Sequence, residues 1–171
     1  MPGSGTTFDI YIPAVNGDYL EKKTSGEKCF MGSSTGGEVI LIVEDEEAIR
    51  RIGKHFLERY GYDVLTAGNC EEGLKLYKNN PVDLVVMDVG LPGMGGIGFL
   101  EGLKSIDAGV KVLAISGYSA HHDTVTALGL KKQEFLQKPF SGNELSTRVR
   151  AILDGDTVPI AQVDYQGEIR E

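Results

Sequence analysis

The sequence predicts a doubly wound α/β domain of five βα units, and three observations carry that prediction. From Glu38 onward, short apolar runs alternate with amphipathic helical patterns, the signature of strands joined by helices into a parallel sheet. The first run, Val39-Ile40-Leu41-Ile42-Val43, is apolar on both faces, as a strand enclosed by two helical layers must be. Parallel crossovers are right-handed, so successive helices are distributed over both faces of one sheet.

The elements follow in order. After Val43 comes a helix with Ile49, Ile52, Phe56, Leu57 and Tyr60 at spacings of three and four, closed by Gly61, with Arg50, Arg51, Lys54 and Glu58 on its polar side. The second strand is Asp63 to Ala67, and Asn69 is placed to cap the helix that holds Leu74 and Tyr77 and stops at Asn79-Asn80-Pro81. Leu84 to Met87 forms the third strand, followed by a Gly- and Pro-rich loop and a helix around Phe99, Leu100 and Leu103. The fourth strand is expected over Val110 to Ile115, with a helix over about 120–130 after it. A short fifth strand holds Phe135 and Leu136, and Ser141 with Glu144 forms a capping box opening the last helix, which carries Leu145, Val149 and Ile152 inward.

The chain has 171 residues, about one domain's worth with appendages. Residues 1–37 form an arm or linker in which Gly, Ser and Thr make up 15 of 37 positions, with a strand-like alternation at Phe8, Ile10 and Ile12. Residues 38–153 form the domain and 154–171 a tail. No apolar run exceeds Val39 to Val43, far short of the ~20 residues a spanning helix needs, and no signal peptide pattern opens the chain. A cytoplasmic location without membrane contact is the expectation. Seventeen Lys and Arg against 25 Asp and Glu give a net charge of −8, which repels phosphate backbones and disfavours nucleic acid as a partner. Cys29 and Cys70 lack any metal-ligand spacing and read as free thiols.

Ligands of such sheets bind beyond the carboxyl ends of the strands. There the sequence places Glu44 and Asp45 after the first strand, Asp88 after the third, Ser116 after the fourth and Lys138 after the fifth. Clustered carboxylates repel one another, and a hard divalent cation relieves that repulsion, with Mg²⁺ suited to an open oxygen site. A carboxylate, a hydroxyl and a lysine beside such an ion are the groups phosphoryl transfer needs, with Asp88 as the natural nucleophile.

These residues resemble a known family, the response-regulator receiver domains of two-component signalling. The matching stretches are Ile42-Val43-Glu44-Asp45-Glu46, Val86 to Gly96, Ala114-Ile115-Ser116-Gly117 and Phe135-Leu136-Gln137-Lys138-Pro139-Phe140, within a resemblance that runs from Glu38 to Leu153. The resemblance implies a flavodoxin-like (βα)5 fold with sheet order 2-1-3-4-5. It implies that Asp88 accepts a phosphoryl group from a histidine kinase or histidine phosphotransfer domain, and that Glu44, Asp45, Asp88 and the Gly90 carbonyl hold Mg²⁺. Ser116 and Phe135 would act as the switch pair and Lys138 would bind the phosphoryl group, with Lys138-Pro139 in the cis form. The face of the helix over 120–130, the fifth strand and the last helix would signal to protein partners and is a candidate homodimer surface. The sequence departs from the family pattern at Glu44, where Asp is common, at Phe135, where Tyr is frequent, and at Gly129 to Glu134, which lacks the usual Gly-Ala.

Pro2 to Pro13 resembles, over a dozen residues, the closing turn and last strand of a histidine kinase ATP-binding domain, which implies that the chain is the carboxyl-terminal receiver of a hybrid sensor kinase. The 17 residues from Gly155 are too few for a helix-turn-helix output. Two other readings compete with the phosphoacceptor. One is a receiver-like module that binds partners without phosphorylation. The other is an aspartate-nucleophile phosphatase, which wants a second Asp where Gly90 stands. His121-His122-Asp123 point in divergent directions on a helix and read as capping or surface residues rather than a metal site.

Overall fold

The computed structural model describes residues 37–117, 128–131 and 134–155. Five parallel strands, β1 (Val39–Val43), β2 (Asp63–Ala67), β3 (Leu84–Asp88), β4 (Val112–Ser116) and β5 (Phe135–Gln137), form one sheet in the order β2-β1-β3-β4-β5. Four helices are described: α1 (Glu47–Arg59), α2 (Cys70–Asn79), α3 (Gly95–Ile106) and α4 (Gly142–Asp154). The expected α/β architecture and strand order are therefore observed. The arm, the tail beyond Gly155, Cys29, the histidine pair and most of the helix expected over 120–130 lie outside the described residues.

The double winding is written into strand alternation. Leu41, Val43, Val85, Met87, Val112 and Ala114 point to one face and pack with Cys70, Phe99, Leu100 and Leu103 of α2 and α3. Ile40, Ile42, Leu84, Val86, Leu113 and Ile115 point to the other and pack with Leu57 of α1 and Leu145, Val149 and Ile152 of α4. Most of these side chains are fully buried, each worth about 1.5–3 kcal/mol of transfer free energy. This continuous burial on both faces is why β1 and β3 read as apolar runs without alternation.

Local chemistry sets the ends of the elements. Asn69 accepts a hydrogen bond from the Glu72 N–H at 2.9 Å and caps α2, and Ser141 and Glu144 form the reciprocal capping box of α4. Gly61, with φ of 90°, ends the turn after α1.

Two expectations are corrected. β4 starts at Val112 rather than Val110 because Asp107 closes a turn around Gly109, and the Val110 N–H is spent on the Asp107 carbonyl. It also extends through Ser116, since Asp88 pairs with Ile115 and Ser116 with Gln137. Ile52, at inward spacing on α1, is 55% exposed. Among the described residues, no helix is long and apolar enough to cross a membrane.

Candidate functional site

The crevice at the carboxyl ends of the strands is built by register. β1 stops at Val43, so Glu44 and Asp45 form the turn into α1, while Asp88, the last residue of β3, projects into the same opening. Carboxylate oxygens of Glu44, Asp45 and Asp88 all lie within 4.8 Å of one another. Lys138 enters from the far side of the sheet. Its backbone N–H donates to the Ser116 carbonyl at 2.8 Å, fixing the chain just beyond β5, and the Lys138-Pro139 bond is cis.

The lysine side chain spans the crevice. Nζ donates to Glu44 Oε2 at 2.8 Å and to Asp88 Oδ2 at 3.2 Å. These side chains are 21%, 5% and 14% exposed for Lys138, Glu44 and Asp88, so solvent screens the pairs far less than surface ion pairs. Beside them a small cavity of about 20 Å³ is lined by the apolar side chains of Ile42, Val86, Ile115 and Leu145 together with Glu44 and Asp88. That apolar lining explains the electrostatics. Burial raises the Glu44 carboxyl above its ordinary range, more than the Lys138 ammonium beside it can offset. Burial also works to lower Lys138, but hydrogen bonds and charge from both carboxylates outweigh it and hold the ammonium above its usual value. Lys138 pairs with two of the three clustered carboxylates, so the set is receptive to a further cation.

The donor chemistry fits Mg²⁺: hard carboxylate oxygens, partly open to water, with space beside them. Gly90 borders the set. Its N–H donates to Asp88 Oδ1 at 3.3 Å, and a Cβ there would sit 3.5 Å from Asp88 Oδ2.

The structure thus brings together Glu44, Asp45, Asp88, Gly90 and Lys138. Ser116 and Phe135 stand differently. Ser116 is buried at the end of β4, and its Oγ donates to the Gly117 carbonyl at 3.3 Å rather than to a carboxylate. Phe135, at the start of β5 opposite Ala114, is half-buried against the cluster that contains Met87 and Leu128. Cys70 is a buried free thiol, its pKa raised by burial.

One residue escaped the sequence reading. Arg50, assigned to the polar side of α1, instead turns back over the β1–α1 turn, and Nη1 donates to the Glu44 carbonyl at 2.5 Å and the Asp45 carbonyl at 3.3 Å. The available signal was its place in the first helical turn, because helical side chains lean toward the N-terminus.

A parallel α/β sheet with an acidic triad and a lysine at its carboxyl edge defines a small, open, oxygen-rich site on a doubly wound scaffold. The sequence profile of the response regulator receiver domain family matches residues 40–150, and the chain belongs to that family. The chain is 40% identical over 114 residues to the alkaline phosphatase synthesis transcriptional regulatory protein PhoP of Bacillus subtilis, which covers 67% of this chain and 48% of that protein. It is 36% identical over 116 residues to the probable transcriptional regulator ycf27 of Porphyridium aerugineum, covering 68% and 48%. The chain spans about half the length of these curated relatives. Among solved structures, a receiver domain protein from Clostridium thermocellum superposes with a TM-score of 0.64 at 29% identity, covering 69% of this chain and 95% of that one. A CheY-like receiver protein from Methanospirillum hungatei gives 0.62 at 30% identity, covering 69% and 94%.

Proposed function

We propose that this receiver domain is a Mg²⁺-dependent phosphoacceptor of a two-component phosphorelay, phosphorylated on Asp88. The observation that carries the reading is the Lys138 ammonium bridging Glu44 and Asp88 beside Asp45. Surface composition does not assemble those four groups beside an apolar cavity.

Glu44, Asp45, Asp88 and the Gly90 carbonyl would hold the cation. Bound there, it supplies neutralisation between the attacking carboxylate and the phosphoryl oxygens. The chain's own residues do the rest. An Asp88 oxygen attacks phosphorus as the bond to the donor's imidazole nitrogen breaks, leaving the electron pair on nitrogen. The Lys138 ammonium meets the charge on the transferred group. Ser116, buried at the end of β4 with its Oγ on the Gly117 carbonyl, would exchange that bond for one to a phosphoryl oxygen. Phe135, at the start of β5, follows by changing its burial, which biases the face that carries β5 and α4. That face is the surface for protein partners, including a second copy of this chain. The phosphoryl donor is a histidine kinase or a histidine phosphotransfer domain, and the setting is the cytoplasm.

The domain limits proposed are 38–153, between an arm and a tail. The resemblance of Pro2 to Pro13 to the end of a kinase ATP-binding domain supports a place in a hybrid sensor kinase. The relatives from Bacillus subtilis and Porphyridium aerugineum are named as transcriptional regulators, and that output is a property of those proteins.

The test is intact mass after incubation with acetyl phosphate and Mg²⁺, with Asp88→Asn and an EDTA arm. Addition of one phosphoryl group to the wild type alone is expected. Equal labelling of Asp88→Asn, or none of the wild type, would refute the proposal.

A further inference from the structure

Arg50 stands where helix electrostatics disfavour it. α1 begins at Glu47, and a cation in the first turn faces the positive end of the macrodipole, where Glu47 belongs and an arginine does not. The compensation lies in the turn before the helix. The half-buried Arg50 side chain leans back and donates from Nη1 to the carbonyls of Glu44 and Asp45, the two residues that supply adjacent carboxylates to the cluster. A second turn encloses it from the other side. A Cβ built on Gly68, just after β2, would lie 3.5 Å from Arg50 Nη1, and the Glu44 N–H is tied to the Ala67 carbonyl at 3.2 Å. The guanidinium is therefore seated between the β1–α1 and β2–α2 turns.

We propose that Arg50 is a positioning residue for the acidic site: by bonding both carbonyls it holds the Glu44-Asp45 backbone so that the two carboxylates converge with Asp88, and so sets the affinity for Mg²⁺. The inference rests on the magnesium reading of the site. Its sign is diagnostic. A guanidinium acting only through its charge repels a dication, so removing it would tighten Mg²⁺ binding. A guanidinium acting through geometry does the opposite.

The experiment titrates Mg²⁺ calorimetrically into the full chain and its Arg50→Met and Arg50→Lys variants, with thermal unfolding in EDTA alongside. Arg50→Met is expected to weaken Mg²⁺ binding about tenfold, the order set by losing a charge-assisted hydrogen bond. Arg50→Lys keeps the charge but its shorter side chain ends before the position from which Nη1 meets both carbonyls, so it too is expected to bind more weakly, and it carries the test if Arg50→Met does not fold. Unchanged or tighter binding in the folded variants would overturn the proposal, and a lower unfolding temperature without a change in affinity would do the same, as it marks a purely structural arginine. Absence of Mg²⁺ binding by the wild type would overturn the magnesium reading itself, whereas unchanged affinity in the variants overturns this inference alone.

Discussion

Replacing Lys138 with methionine keeps most of the unbranched apolar stem and removes the one charge that bridges Glu44 and Asp88. Unit charges within 4.8 Å at an effective dielectric of about 20 repel by about 3.5 kcal/mol. Breaking a buried pair by deleting one partner costs about 3–5 kcal/mol. Two features reduce that here: Lys138 is 21% exposed, and Glu44, already raised by burial, can take up a proton. The expected loss for Lys138→Met in EDTA at neutral pH is therefore about 2–3 kcal/mol, read as a fall in unfolding temperature of about 8 °C. The loss should shrink in two ways. As pH falls through the raised Glu44 value, protonation removes the repulsion, so the variant approaches the wild type. Mg²⁺ should narrow the gap too, because the ion and the lysine compete for the same oxygens, and ion at about 100 times its dissociation constant adds about 2.7 kcal/mol. Thermal unfolding of both proteins with EDTA or Mg²⁺ at several pH values checks all three. Equal stability in EDTA, or a gap that Mg²⁺ leaves unchanged, would refute the claim that Lys138 neutralises the carboxylates.

Other parts of the molecule give independent outcomes. Burial and the hydrogen bond to Asp107 push Tyr77 up to about 12 from 10.0, so the folded state holds this proton more tightly and stability falls as pH rises from about 10 to about 12. Tyr77→Phe should flatten that alkaline loss in urea unfolding, at a neutral-pH cost of about 1 kcal/mol. Gly142→Ala would place a Cβ 2.5 Å from Phe56 Cδ1, so α4 or the ring must shift, at about 1–3 kcal/mol measured by urea unfolding. Asn69→Ala removes the α2 cap and should cost about 1 kcal/mol in the same assay without changing Mg²⁺ affinity.

How far the sequence foretells this molecule depends on whether a residue's role is local. Buried strands announce themselves as apolar runs, and the caps at Asn69 and Ser141 depend on neighbours three residues away, so both are legible. The start of β4 is not, because the turn at Asp107 consumes the Val110 N–H before the ladder begins. Helical spacing placed Ile52 inward, but α1 presents a narrower buried stripe than five apolar residues suggest, with Leu57 at its centre. The acidic set was readable because each member stands at or just past the end of a strand, and strand ends converge in this fold. Its electrostatics were not. The burial of Glu44 and the double bridge from Lys138 depend on residues 94 and 50 positions apart in sequence. The contact made by Arg50 was missed for the same reason: periodicity reports which side of a helix a residue occupies, not that a long side chain reaches back over the preceding turn.

Asp88, and no other group, is the proposed acceptor of the phosphoryl group. The direct measurement is borohydride reduction of the chain after reaction with acetyl phosphate and Mg²⁺, followed by peptide sequencing by mass spectrometry. An aspartyl phosphate at position 88 is reduced to homoserine there, and that product at Asp88 alone is the result expected. Homoserine at another carboxylate, or none in a chain that binds Mg²⁺ and stays folded, would contradict the account.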